Sequence, residues 1–182
     1  LNIGLTQTIQ FHNNKAYDAL EHDWYRYLNG HTLFPICNNM NQDFVSIASK
    51  LDVLIITGGV DLASRRAVEL KLASEMMKQL KPILGVCHGA LLITDILGGE
   101  IGEDKSHLGV DHNVIYMDQT YEVRSHHSNV ITNPHDQATV LATDTDGNCE
   151  AWIDGNIAGI MWQPQRMDTP FLPTEIANKF QL

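Results

Sequence analysis

The sequence predicts an α/β fold, a three-layer sandwich on a mostly parallel β-sheet with an antiparallel extension. Three observations carry this. Val53-Leu54-Ile55-Ile56 and Pro82-Ile83-Leu84-Gly85-Val86 are short continuous apolar runs, the pattern of strands buried on both faces. In the first half, helix-patterned segments separate the strands, which implies right-handed crossovers and parallel pairing. In the second half, short strands follow one another, with Asp-Gly turn signals at 146–147 and 154–155.

Taken in order, residues 2–6 run apolar and predict a first buried strand. Ala16, Leu20, Trp24, Tyr27 and Leu28 fall near helical spacing and predict a helix over 15–28, stopped by Gly30. Asp18, Glu21 and Asp23 then lie on its solvated face, and Trp24, Tyr25 and Tyr27 serve packing. A strand follows at 32–36, and Phe44, Val45, Ile47 and Ala48 mark a short helix. The strand at 53–56 ends in Gly58-Gly59. Ala67, Leu70, Leu72, Ala73, Met76, Met77 and Leu80 predict a long helix over 64–80. The strand at 82–86 runs into Cys87, and helix is expected over 88–97, up to Gly98-Gly99. A hairpin is expected at 112–117 and 120–124, with strands at 130–131, 138–143, 149–153 and 157–162, and a last helix at 172–180.

Bulk properties exclude several functions. The 182 residues suit a single domain over 1–182, and 43% hydrophobic with 19% charged residues is ordinary globular composition. No apolar run approaches the ~20 residues of a spanning helix. The first residues lack a basic leader and read as a strand that has lost its initiator Met, not as a signal peptide. A formal net charge of −10, with only 12 scattered Lys and Arg, fits neither nucleic acid nor an anionic membrane as partner. Cys37, Cys87 and Cys149 are odd in number and lack a CxxC spacing, so a reducing, cytoplasmic setting fits. Cys37 and Cys149 read as ordinary strand-end or buried thiols. Nine histidines raise the question of metal. His107 and His112 are five apart and His126-His127 adjacent, but no HExxH or Cys-rich spacing supports zinc. Neither metal nor cofactor is expected.

The strongest chemical signal is Gly85-Val86-Cys87-His88-Gly89. A strand entering a helix through a sharp turn exposes its middle residue, and small flanking residues relieve the crowding, as in a nucleophile elbow. The helix N-terminus lowers a thiol pKa. A buried structural cysteine in a tight turn is the competing interpretation. Thr57-Gly58-Gly59-Val60-Asp61 is the second signal, a glycine pair at a strand end that lets backbone N–H groups approach a ligand. Gly59 N–H and His88 N–H could form an oxyanion hole. The third is Gly159-Ile160-Met161-Trp162-Gln163-Pro164-Gln165-Arg166, after a late strand.

In this order and spacing the three segments resemble the class I glutamine amidotransferases and their γ-glutamyl hydrolase relatives, over nearly the whole chain. His107 followed by Gly109 to Val114, Arg124-Ser125-His126-His127-Ser128 and Asp146-Gly147-Asn148-Cys149-Glu150-Ala151 are similar to further family segments. The resemblance implies a flavodoxin-like fold and hydrolysis or transfer of a γ-glutamyl amide by Cys87. It implies substrate binding by Gly58, His127 and Ser128, and a small γ-glutamyl or glutamine-like substrate. If ammonia is channelled, a synthetase partner must receive it.

The chain departs from the family where its catalytic His and Glu belong. Those triad positions are Gln163 and Gln165, and an amide cannot accept a thiol proton at neutral pH. Leu91 replaces the family's substrate-holding Gln, which argues against free glutamine as substrate. Either another histidine supplies the base, or the protein is a weakened or inactive relative that binds a ligand or partner. His88 is the first candidate base, since the Cys-His-Gly string is similar to the PfpI branch of the same superfamily. His127 is the second.

Overall fold

The strand β5 (Val53–Ile56) shows why its sequence is apolar throughout. Val53 and Ile55 pack into one core, and Leu54 and Ile56 into another on the opposite face. The strand β6 (Ile83–Val86) divides likewise, with Leu84 and Val86 on one side and Ile83 on the other. The computed structural model describes residues Leu1–Leu182. Besides β5 and β6, the central sheet contains β1 (Asn2–Thr6), β4 (Thr32–Ile36), β7 (Glu100–Glu103), β8 (Asp111–Tyr116), β9 (Gln119–Arg124), β10 (Asn129–Asn133), β11 (Thr139–Thr143), β12 (Cys149–Asp154) and β13 (Ile157–Ile160). Its order is β4-β1-β5-β6-β13-β12-β11-β8-β9, with β10 pairing β12 and β7. The pairs from β4 to β13 are parallel and those from β13 onward antiparallel.

The helices cover both faces. Trp24 of α1 (His22–Tyr27) and Ile176 and Phe180 of α5 (Thr174–Phe180) enter the first core. Phe44 and Ala48 of α2 (Phe44–Lys50), Val68, Leu72 and Met76 of α3 (Ala63–Lys78), and Leu92 and Ile93 of α4 (His88–Ile96) enter the second. This is the three-layer α/β sandwich that the sequence predicts. No helix is long and apolar enough to cross a membrane.

The expected helix over 15–28 is corrected. Residues Thr8–His12 (β2) and Lys15–Ala19 (β3) form a separate antiparallel hairpin, and only His22–Tyr27 is helical. Asn13 and Asn14 both take positive φ, 49° and 58°, as a two-residue hairpin turn of primed type demands. The helical spacing begins at Ala16, which has no matching core because β3 is almost wholly exposed, whereas Leu20 just beyond the strand packs on the first core. Two carboxylates of the supposed solvated face are engaged instead. Asp18 accepts from the Asn38 backbone N–H and side-chain amide at 3.0 and 2.6 Å, and Glu21 reaches the C-terminal loop described below. β7 is an addition to the expected elements. α5 begins at Thr174, because Pro173 precedes it.

Candidate active site

Cys87 joins β6 to α4 with φ 53° and ψ −107°. A non-glycine residue in such a conformation stores about 1–3 kcal/mol and persists only where its surroundings dictate it. Those surroundings are explicit. Cys87 N–H donates to the Ile160 carbonyl of β13 at 2.8 Å. A Cβ on Gly85 would lie 2.5 Å from the Gly89 backbone, and one on Gly89 would lie 2.0 Å from the Ile56 carbonyl oxygen. Both glycines are therefore imposed by close packing of the turn between strand and helix.

The Cys87 thiol is buried and stands 3.8 Å from the His126 carbonyl oxygen, toward which it can donate. Burial pushes it up to about 11, and a hydrogen bond from His88 N–H offsets this only in part. The expectation that the helix N-terminus yields a thiolate is thus corrected, because desolvation of the sulfur outweighs the dipole. Iodoacetamide should accordingly modify Cys87 with a pH midpoint near 11, well above the ~8.5 of a free thiol. A midpoint at or below the free value, read by peptide mass mapping, would show that burial does not control this sulfur.

Cys87, His88, Gly59, Leu91, His126, His127 and Ser128 line one cavity of about 180 Å³. The glycine loop forms its edge. A Cβ on Gly58 would meet Cys87 Cβ at 3.5 Å and Gln163 Nε2 at 3.4 Å, so the loop, the cysteine and the C-terminal segment converge there. Gly59 has φ +127°, and a side chain there would strike Arg65 and Thr8.

Beneath this loop lies a buried charge network that sequence reasoning missed. Arg65 Nε donates to Glu69 Oε1 at 2.8 Å, and Arg65 Nη2 to the Thr57 carbonyl at 2.7 Å. Arg65 Nη1 reaches the Gly58 carbonyl at 3.2 Å. Thr6 Oγ1 donates to Glu69 Oε1 at 2.8 Å, and His88 Nε2 lies 2.8 Å from Glu69 Oε2. Burial raises the Glu69 carboxyl, but the hydrogen bond from His88 and the Arg65 charge outweigh it, leaving a net lowering. The imidazole that follows the cysteine is therefore held by a carboxylate. The signal was available: Arg65 and Glu69 share a helical face with Leu72 and Met76, which is inward-facing.

Gln163 and Gln165 are both buried. Gln165 Nε2 donates to Gln163 Oε1 at 2.9 Å and to Glu21 Oε2 at 3.2 Å. Glu21 also pairs with Arg166, whose Nε lies 3.1 Å from Oε2. Burial raises the Glu21 carboxyl, and hydrogen bonds from Arg166 and Gln165 reverse this to a net lowering. With its oxygen occupied by Gln165, Gln163 turns its amide nitrogen toward Gly58, which Cys87 also borders. It offers this site a donor and no base. Glu21, Gln163, Gln165 and Arg166 also line a neighbouring cavity of about 370 Å³, bounded by Thr8, Gln10 and Gly59.

His127, the other candidate base, is engaged elsewhere. Its Nδ1 lies 2.9 Å from the Asn129 carbonyl, and its Nε2 faces Glu150 at 3.8 Å. Burial keeps it below the usual histidine range.

The family model described as glutamine amidotransferase class-I matches residues 15–180. The chain is 26% identical to a gamma-glutamyl-CDP-amidate hydrolase of Campylobacter jejuni, over 90% of each. It is 30% identical, over 54% of its own length and 22% of the relative's, to a glutamine-hydrolysing GMP synthase of Aeropyrum pernix. The solved structure of a candidate GMP synthase component from Thermoplasma acidophilum superposes with a TM-score of 0.75 at 18% identity, covering 99% of this chain and 92% of that one.

Proposed function

We propose, from the premise that the chain belongs to the class I glutamine amidotransferase family, that it hydrolyses a γ-glutamyl amide with Cys87 as nucleophile and His88, oriented by Glu69, as base. The observation that carries this is the 2.8 Å His88–Glu69 pair in the residue next to the strained cysteine. A thiol pushed up to about 11 needs a base at the moment of attack, and the amides at 163 and 165 cannot be one. His127 Nδ1 is bonded to the Asn129 carbonyl and its Nε2 is turned toward Glu150 at 3.8 Å, which favours His88.

In this mechanism His88 takes the thiol proton as sulfur attacks the amide carbonyl carbon. The oxyanion is held by the N–H groups of Gly59 and His88. Collapse breaks the C–N bond, and the leaving amine takes the proton from His88. Water, deprotonated by His88, then cleaves the γ-glutamyl thioester and frees the thiol. Gly58, His127 and Ser128 line or edge the substrate's side of the cavity. A single glutamine amidotransferase-like domain over 1–182 is part of this proposal, supported by the family match over residues 15–180. Leu91 and the amidate hydrolase relative favour a substituted amide over free glutamine. Resemblance to a glutamine-hydrolysing synthase keeps a synthetase partner within the proposal. The free thiols suit a cytoplasmic setting.

The test is release of glutamate from γ-glutamyl-p-nitroanilide and from γ-glutamyl alkylamides. Cys87→Ala should remove turnover, and His88→Asn should lower kcat about a hundredfold with KM little changed. Equal rates for wild type and His88→Asn would exclude the assigned base. A second reading is a relative that binds γ-glutamyl ligands without turnover. The buried thiol, pushed up to about 11 by desolvation, and the locked amide pair favour it. Ligand binding by wild type with no glutamate released would establish that reading in place of the first.

A further inference from the structure

Three histidines and a glutamate from separate segments meet below the cysteine cavity. His107 precedes β8, His112 lies on β8, His127 precedes β10 and Glu150 lies on β12. Glu150 is buried, with both carboxylate oxygens lacking a hydrogen-bond partner. Its ion-pair neighbours are all histidines. Oε1 lies 3.5 Å from His107 Nδ1 and 3.8 Å from His127 Nε2, and Oε2 lies 3.5 Å from His112 Nε2. Those three ring nitrogens are also unpartnered. The donor atoms of His107, His127 and Glu150 all lie within 4.8 Å of one another.

His127 decides what the cluster lacks. A carbonyl can only accept, so Nδ1 carries the proton that goes to Asn129 O, and Nε2 presents a lone pair. That lone pair faces a carboxylate oxygen, which is a second acceptor. Two buried acceptors aimed at one point cost free energy unless a cation lies between them. The spacing suits a metal better than a proton. Zinc binds His nitrogen and carboxylate oxygen at about 2.0–2.2 Å, so neighbouring donors of a tetrahedral site stand roughly 3.3–3.6 Å apart. Contacts of 3.5 and 3.8 Å lie close to that edge and are long for hydrogen bonds. The Asn129 carbonyl on His127 is the outer-shell partner that metal-binding imidazoles recurrently keep. Asp144 Oδ2 stands 3.8 Å from His107 Nε2 in the equivalent place.

The geometry points to a divalent transition-metal site of the zinc type formed by His107, His127 and Glu150; His112 stacks on the His107 ring at 3.9 Å and so packs beside the ion without ligating it. All three side chains are nearly or fully buried, so the ion would sit beneath the surface with one position left for water. It ties the segment around His107 and the Ser125–Ser128 stretch to β12. His126, His127 and Ser128 wall the Cys87 cavity, so the ion would hold that wall in place.

The test is metal content and uptake. Full-length protein purified without chelator should retain one equivalent of zinc by mass spectrometry of the element. After EDTA treatment, added Co2+ should give the intense visible absorption of a tetrahedral site, displaced by Zn2+. Zn2+ should also raise the thermal midpoint of the stripped protein. Asp144→Asn should weaken Co2+ binding about 10–100-fold, and Glu150→Gln should remove it. If a variant fails to fold by circular dichroism, the wild-type uptake and thermal shift decide alone. Folded wild type that neither retains zinc nor binds Co2+ or Zn2+ at micromolar concentration overturns the site, leaving a protonated imidazole–carboxylate cluster. Unchanged Co2+ affinity in folded Glu150→Gln overturns its placement.

Discussion

Gln163→His combined with Gln165→Glu and Glu21→Gln should raise γ-glutamyl amide hydrolysis about a thousandfold. The backbone around the site is in place: strained elbow, glycine loop and C-terminal segment meet within contact distance. What position 163 offers is a donor where a proton acceptor is needed. Removing a triad base typically costs several orders of magnitude, and restoring one should regain a large part of that. Glu21 must change as well. Gln165 Nε2 donates to Glu21 Oε2 at 3.2 Å, so a glutamate at 165 would set two carboxylates against each other. The pair without Glu21→Gln should therefore gain less than the triple variant. Steady-state kcat/KM on γ-glutamyl-p-nitroanilide measures both. No gain in a folded triple variant would mean that the site is altered beyond its two amides.

Glu69→Ala should lose about 3–5 kcal/mol of folding stability, read from the urea midpoint. Arg65 and Glu69 are fully buried, so removing the carboxylate strands a guanidinium among carbonyl groups. The loss should exceed that of an exposed pair such as Arg26–Asp23, worth ~0–1 kcal/mol. It should also reach the site, since the same side chains hold Gly58 and His88. The pH dependence follows from the lowered Glu69 pKa. Its stabilising contribution is complete above the unfolded value of 4.5 and is lost as pH falls through the lower folded value. Wild type should thus lose stability on acidification more steeply than Glu69→Gln.

What is legible in the sequence is local. β5 and β6 announce themselves because a strand buried on both faces has no polar positions. The Cys87 elbow does so because crowding admits only glycine at 85 and 89. The β2–β3 hairpin is hidden because its turn is Asn-Asn, a weaker signal than Asn-Gly. Ala16, Leu20 and Trp24 also mimic a single helical stripe, although only Leu20 and Trp24 reach the core and Ala16 sits on the exposed hairpin. The helix N-terminus suggests an activated Cys87, but sequence cannot report the depth of burial that overrides it. Partnerships between distant segments are illegible. His88 stands out beside the cysteine, while the carboxylate that orients it lies nineteen residues earlier on α3. Glu150 reads only as part of a strand motif, and its histidines arrive from three other places in the chain.

The most direct measurement of the central claim is intact mass after acid quench of wild type mixed with a γ-glutamyl amide. Attack by Cys87 followed by hydrolysis predicts a γ-glutamyl thioester on that residue during turnover. The adduct should be absent in Cys87→Ala and form more slowly in His88→Asn. Glutamate release with no adduct in wild type, or an adduct mapped to another residue, would contradict Cys87 as the nucleophile.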